Sequence, residues 1–368
     1  MTQKYTIKFF EGDDGFRQIE DDWNIVFRSL SRKRFFYRYE WYKCYMETLK
    51  PKEEIVYFFI IYNQDIPLAI FPLIKGIKQK YGIKIKVWET PLHNHFVFSD
   101  FIYDVNDNNK DILIFLIKYL SNGEIFNNDG IIIYNVLEDS ILLQSLNYIS
   151  PLFTVIKNIG EYSFFYIENF KKGIKRKKSK STNKKRNELQ KLGKVEFTRS
   201  VGKSDILRDF NIFLDVEASG WKGAQGTAIK CNEMLIKFYR CLITELVHIG
   251  GCHIYLLYVN DECIAGNFCI VDDDTIYTLK IGYREDYALY SPGIICRDNL
   301  LNMISEYEDI KYVNFVTHQE WHDRWDPELC SIYNVYIYNI SIGGIIAFMT
   351  AKGKQWIKKL YIKFTKDN

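Results

Sequence analysis

Moving a proton off an amine or hydroxyl as it attacks an electrophile requires a base with a pKa near neutrality, and histidine supplies one without further tuning. His318 and His322 stand in VNFVTHQEWHDRW, where a predicted strand ends and a polar aromatic loop begins. Either imidazole could serve an acceptor there, alongside Trp321, or could cap the strand and pack against Trp321 and Trp325. His93, His95 and Asp100 fall together in PLHNHFVFSDF. A His-x-His on a strand places both rings on one face, as a metal site would need, but no third ligand is apparent. Acceptor binding or an ordinary polar loop is the expectation for these three, with no metal. In Gly220-Trp221-Lys222-Gly223 the indole offers a flat surface to a sugar, and the lysine could meet a phosphate or carboxylate.

These groups are arranged around one stretch, TIYTLKIGYREDYALYSPGIICRDNLLNMISE, from Thr275 to Glu306. Its alternating β-branched and aromatic residues predict a strand, and Ile294, Ile295, Leu300, Leu301 and Ile304 recur at helical spacing. Between them lies an irregular loop ending in Ser291-Pro292-Gly293, where proline suits the first turn of the helix. A strand feeding a helix in this way aims backbone N–H groups and the positive end of the helix dipole at one spot, a seat for phosphate. Gly293 would let the anion approach the backbone.

The chain before it opens with a strand from Tyr5 to Phe10 and helices around Ile19 to Leu30 and Tyr39 to Leu49. A hairpin over Ile55 to Ile74 follows, turning at Asn63-Gln64-Asp65. Strands near Ile83 to Thr90 and Phe96 to Tyr103, a helix from Lys110 to Ser121, a buried strand from Gly130 to Val136, and a last helix and strand complete the first half near Ile167. A polar bridge then leads to a second series: strand (Lys194 to Arg199), helix (Ile206 to Ala218), helix (Asn232 to Ile249) and hairpin (His253 to Val271). After the central stretch come strands at Lys311 to Thr317 and Tyr333 to Ile340 and a C-terminal helix. The hairpins YFFIIYNQDIPLAIF and IYLLYVNDECIAGNF share a turn residue in register and one apolar frame, which suggests two similar halves. The expected division is 1–170, a basic helical linker at 171–193, and 194–368.

A chain of 368 residues with 47% hydrophobic composition can bury the cores of two such domains. Its first residues are charged and carry no continuous apolar stretch, and no run is long enough to span a bilayer. The eight cysteines show no CxxC spacing and read as reduced thiols of a cytosolic protein. Of the net charge of +3, Lys171 to Arg186 alone contributes ten positive charges, which leaves −7 for the rest. A basic character so local argues against a nucleic-acid coat, and no reading helix accompanies the segment to suggest DNA binding. The tail AKGKQWIKKLYIKFTKDN alternates lysine with Trp356, Leu360, Tyr361 and Phe364, a pattern suited to peripheral membrane contact.

The phrase FLDVEASGWKGAQGTAI, the hairpin after it, TLKIGYREDYALYSPG with its helix, and VNFVTHQEWHDRWDPE together resemble the acetyltransferases of cellulose biosynthesis. These are the CelD/BcsL type of the GNAT superfamily, similar in layout to Fem-type aminoacyl transferases. The resemblance covers nearly the whole chain and is carried best by the Gly-Trp-Lys-Gly and Tyr…Tyr-Ala…Ser-Pro-Gly elements. Asn314 and the segment Gln319 to Trp325 depart from it, since relatives carry an Asp and a Gly-rich Tyr-Lys segment there.

The resemblance implies an α/β fold of two GNAT-like domains, each a mixed, mostly antiparallel sheet flanked by helices. It implies acetyl-CoA as donor, with the pantetheine along Leu279, Lys280, Ile281, Gly282 and Tyr283. The pyrophosphate would lie on Ala288 to Ile294, with Ser291, Pro292, Gly293 and Ile294 at the helix start. Tyr283 or Tyr290 would protonate the departing thiolate, and His318 would be the base. Trp221, Lys222, His93, His95, Asp100, Trp321 and His322 would shape the acceptor site. The implied function is acyl transfer from acetyl-CoA to an amino sugar or related precursor of a bacterial surface polysaccharide, free or lipid-linked, in the cytoplasm or at the inner membrane face. Aminoacyl-tRNA as donor in a Fem-like reaction, or a non-catalytic role in a polysaccharide machine, are the alternatives.

Overall fold

Continuous apolar runs, buried on both faces, form the two hairpins read from the sequence, and helices cover the sheets they start. In the computed structural model, which describes residues 4–80, 82–98, 100–104, 111–146, 153–171, 180–200 and 202–353, the strands follow in order. They are β1 (Thr6–Glu11), β2 (Val56–Asn63), β3 (Ile66–Lys80), β4 (Ile83–Glu89), β5 (Ile102–Tyr103), β6 (Gly130–Leu137) and β7 (Thr154–Tyr166). Then come β8 (Val195–Ser200), β9 (Cys252–Val259), β10 (Glu262–Asp272), β11 (Thr275–Tyr283), β12 (Tyr312–Asn314) and β13 (Glu328–Tyr338). The helices before the first long connection are α1 (Gly12–Gln18), α2 (Glu20–Ser29), α3 (Tyr39–Cys44), α4 (Ile112–Ser121), α5 (Ile141–Ser145) and α6 (Ile167–Lys171). Those after it are α7 (Lys180–Gln190), α8 (Lys203–Ala218), α9 (Trp221–Ala224), α10 (Glu233–Leu246) and α11 (Pro292–Ile304). Residues 342–353 are helical as well. Among the described residues no helix is long and apolar enough to cross a membrane. Residues 172–179 of the basic bridge and 354–368 of the basic tail lie outside them.

Two compact units result, and they are not contiguous in sequence: Met1–Tyr39, Pro51–Gly160 and Ser331–Asn368 form one, Glu40–Lys50 and Glu161–Cys330 the other. In the first unit β1, β2, β3 and β4 run antiparallel in that order, β6 lies parallel to β4, and β13 antiparallel to β6. Its core joins Phe59, Phe71, Trp88, Leu116 and Ile131. The strand expected from Phe96 to Tyr103 is reduced to β5, preceded by a turn in which His93 bridges Phe96.

In the second unit β8, β9, β10 and β11 are antiparallel neighbours, β12 is parallel to β11, and the end of β7 is antiparallel to β12. Phe268 of β10 meets Phe210 of α8, whereas its neighbour Asn267 donates to Cys296 Sγ of α11 at 3.0 Å. Successive residues of a strand point to opposite faces, so α8 and α11 cover opposite sides of this sheet. Helix α10 starts where Asn232 Oδ1 accepts from the N–H groups of Met234 and Leu235. Its Cys241 is disulfide-bonded to Cys44, with Cα atoms 5.6 Å apart, which fastens Glu40–Lys50 to the unit. The expectation that all eight thiols are reduced fails at this pair, because residues far apart in sequence meet within disulfide reach.

The α/β class, with mixed, mostly antiparallel sheets flanked by helices, is the one the sequence predicts.

Candidate active site

β11 and β12 are paired only from Thr275–Tyr312 to Tyr277–Asn314. Past that point the chain after Asn314 stays with β7: Phe315 N donates to Ser163 O at 2.9 Å, and His318 N to Glu161 O at 3.0 Å. The parting is enforced at Val316, a β-branched residue held at φ +65°, where Val316 N donates to Asn314 Oδ1 and Thr317 N reaches back to Phe315 O at 2.6 Å, a tight γ-turn. This turn is why the strand predicted to Thr317 stops at Asn314. A cleft of about 730 Å³ opens between the free edge of β11 and the diverging segment, within the range of small-ligand sites. It is lined along β11 from Thr278 to Tyr283, along the loop and α11 by Ala288, Ser291 to Ile294 and Arg297, and on the far wall by Phe315, Thr317, Gln319, Trp321 and His322. Glu217, Gly220, Lys222 and Glu285 complete it.

One extra residue in β11 sets the chemistry of this edge. Cys269 pairs with Thr278 and Phe268 with Lys280, so Leu279 is a bulge without a register partner. The bulge reverses the alternation: Thr278 faces α11 beside Cys269, while Lys280 and Gly282 turn to the α8 side with Phe268 and Gly266. There Lys222 Nζ donates to Glu217 Oε1 and to the carbonyl of Ile281, both at 3.1 Å, and Glu217 Oε2 accepts from Ile229 N at 2.8 Å. Burial pushes the Lys280 ammonium down to about 8, the charge of Lys222 adds to the fall, and Glu217 opposes it. Lys280 therefore gives up its proton more readily than a solvated lysine.

The start of α11 has the form expected from the sequence. Ser291, at φ +52°, caps α11 with Pro292 in the first turn, and Lys185 Nζ of α7 donates to Ser291 Oγ at 2.7 Å. A residue of the basic segment thus adds positive charge at the positive end of the helix dipole. Gly293 is not dictated by the protein's own packing, since a Cβ there would meet only the Tyr283 ring, at 3.4 Å. Gly282 differs, because a Cβ there would lie 2.7 Å from Glu217 Cα and push β11 away from α8.

The other expected site residues divide. Leu279, Lys280, Ile281, Gly282, Tyr283, Ser291, Pro292, Gly293, Ile294, Lys222, Trp321 and His322 all line the cleft. Tyr283 is 40% exposed there. Tyr290 instead packs against the cluster of Leu189, Val259, Ile264 and Ile295. His318 is not among the lining residues: its Nδ1 lies 2.8 Å from Ser163 Oγ and its Nε2 3.8 Å from Asp323. His322 caps the turn Glu320–Trp325 reciprocally with Gln319, its Nδ1 accepting from Gln319 N at 3.3 Å. Burial, then the charges of Arg297 and His318, hold His322 down at about 3, so it is a neutral imidazole at physiological pH and a weak base. Trp221 begins α9, but its side chain lies outside the described residues.

His93, His95 and Asp100 belong to the first unit, while the cleft is lined by the second alone. Asp100 is buried, accepting from Ser140 Oγ, Tyr37 OH and Phe101 N, and burial raises its carboxyl. His93 and His95 flank a turn, with His95 N donating to His93 Nδ1 at 3.1 Å, so the alternation that would put both rings on one strand face is absent.

Sequence reasoning missed Glu217 and Arg297. Glu217 lies inside the phrase FLDVEASGWKG, and its place in the cleft depends on how closely α8 approaches Gly282. Arg297 sits on α11 among apolar positions, and only the fold reveals that it is buried.

Residues 176–324, which lie within the second unit, match the model of the Acetyltransferase (GNAT) domain family. No curated protein matches the chain in sequence. Among solved structures it is similar to FemX at 11% identity, with a TM-score of 0.55 over 86% of this chain and 95% of that one. It is similar also to the C-terminal domain of a candidate lysylphosphatidylglycerol synthetase from Agrobacterium fabrum, at 10% identity and TM-score 0.53, covering 92% and 96%. A conserved protein of unknown function from Bacteroides thetaiotaomicron gives 14% and 0.53, covering 90% and 100%. At such identities the likeness is one of fold.

Proposed function

We propose that the second unit transfers an acyl group from acetyl-CoA to the amine of an amino sugar or a related precursor of a bacterial surface polysaccharide. The observation that carries this reading is the free edge of β11 running into the phosphate seat at Ser291 to Gly293. An extended pantetheine arm can add to that edge by backbone hydrogen bonds, with its pyrophosphate at the helix start and Lys185. The backbone amide of Leu279, at the bulge where the register with β10 breaks, would polarise the thioester carbonyl. Lys280, in its neutral form, would take the proton of the attacking amine; the C–S bond then breaks, and the Tyr283 hydroxyl returns a proton to the thiolate. Phe315 and Trp321 give the acceptor a flat apolar wall of the kind sugars stack on. Thiol release from acetyl-CoA that depends on an added amino sugar would support the reading. Release no faster than hydrolysis with every amino sugar tried would remove that acceptor class.

The basic segment favours a second donor. Lys185 belongs to a run of ten positive charges, which would suit the larger anion of an aminoacyl-tRNA. Retention of tRNA in a gel shift at physiological salt, without acetyl-CoA binding, would select it.

A further inference from the structure

Arg297 is 2% exposed, yet it is one of the residues that line the cleft. Its Nε and Nη1 have no hydrogen-bond partner, and among the described residues no carboxylate forms an ion pair with it. The nearest acid in sequence, Asp298, is engaged elsewhere: its Oδ1 accepts from Trp325 Nε1 at 2.7 Å. Among the described residues this cation meets aromatic faces, Phe315 at 4.3 Å and Trp321 at 5.9 Å from the guanidinium carbon to the ring centroids. A buried charge without a hydrogen-bonded counterion is strongly unfavourable, and a fork of unsatisfied N–H donors is the group best shaped to receive a planar or tetrahedral oxyanion.

We propose that Arg297 receives an oxyanion, a carboxylate or a phosphate, carried by the acceptor. The inference rests on the reading of this cleft as an acyl-transfer site and names the class of acceptor it selects. The oxyanion belongs to the acceptor and not to the donor because of where Arg297 lies. It is four residues beyond Gly293, about 6 Å further along the helix axis than the phosphate seat. Its ring partners, Phe315 and Trp321, stand on the far wall, away from the strand that would hold the pantetheine. An acceptor that pairs an amine with a carboxylate or phosphate is thereby oriented by its acid end. A neutral acceptor would leave Arg297 unsatisfied and be discriminated against.

The test uses the full chain labelled with ¹⁵N-arginine and saturated with coenzyme A, in wild type, Arg297→Lys and Arg297→Met. The Nε–H resonance missing from Arg297→Met identifies the group. Potassium acetate and inorganic phosphate are then titrated against potassium chloride at matched ionic strength. A saturable millimolar shift of that resonance with acetate, phosphate or both, absent with chloride, is the expected result, and the more effective anion tells carboxylate from phosphate. No shift with either anion overturns the proposal. Arg297→Met should melt no lower than wild type in the absence of ligand, since the arginine does not hold the fold together; a fall of several degrees would assign it a structural role and overturn the proposal as well. If coenzyme A fails to bind while acetate or phosphate still shifts the resonance, the donor reading fails and the oxyanion site stands.

Discussion

Lys222 Nζ lies 3.1 Å from Glu217 Oε1 and donates a second hydrogen bond to the carbonyl of Ile281, so one side chain ties α8 to the strand that bounds the cleft. Glu217 is nearly fully buried, and Lys222 is partly open to solvent. Removing the lysine strands the carboxylate with one remaining donor, Ile229 N. Lys222→Met should therefore lower unfolding free energy by about 1–3 kcal/mol, discounted from the fully buried case for the partial exposure. The double variant with Glu217→Gln should recover part of that loss in urea denaturation, because neither charge is then left alone.

The Lys280 ammonium, held down at about 8, predicts a rate that climbs with pH through that value as the neutral amine becomes available to accept a proton. Glu217 is the group that raises the pKa against burial and Lys222, so Glu217→Gln should shift the limb to lower pH. Lys280→Met should abolish the limb and cost about 10²–10⁴ in rate. A kcat/KM profile unchanged in both variants would remove Lys280 from the proton path.

His322 predicts an acid sensitivity of stability. Its folded pKa of about 3 lies below the ordinary histidine value, so between the two the unfolded chain binds a proton that the native fold refuses. Stability contributed in this way is complete above the unfolded pKa and falls as pH drops towards the folded one, by about 1.4 kcal/mol per pH unit at its steepest. His322→Asn, which keeps an acceptor for Gln319 N but does not titrate, should flatten that slope in urea melts taken across the acid range.

Two glycines should respond in opposite ways. Gly282→Ala drives a Cβ to 2.7 Å from Glu217 Cα, backbone that cannot swing aside, and should cost about 1–3 kcal/mol. Gly293→Ala meets only the Tyr283 ring at 3.4 Å and should leave the melting temperature unchanged.

Without reductant, denatured protein should titrate six free thiols, and eight after reduction, because Cys44 and Cys241 are paired. Reduction should lower stability by about 2–5 kcal/mol, since the bond closes a long loop. Eight thiols without reductant would remove the bond.

Much of the β11 and α11 wall of the cleft was legible in the sequence because its signals are local. Alternation predicts β11, proline marks the start of α11, and Leu279 to Tyr283 and Ser291 to Ile294 line one cleft. The bulge at Leu279 left no mark in the sequence, for one added residue looks like continued alternation while it re-aims Lys280. The γ-turn at Val316 was equally hidden, since a valine in a β-branched run argues for strand, and it left His318 against Ser163 instead of in the cleft. Arg297 was invisible for a different reason. On a helix face it reads as solvated, and only packing among α11, Phe315 and Trp321 buries it. The attachment of Glu40–Lys50 to the second unit likewise depends on contacts remote in sequence.

The most direct test of the central claim is calorimetric titration of the full chain with acetyl-CoA, beside a Gly293→Trp variant. The backbone at Gly293 is ordinary helix and its surroundings are open, so the variant should fold while its indole fills the phosphate seat. The account predicts micromolar binding to wild type and loss of that binding in the variant. Binding that survives the substitution, or no heat with the wild type, would contradict it.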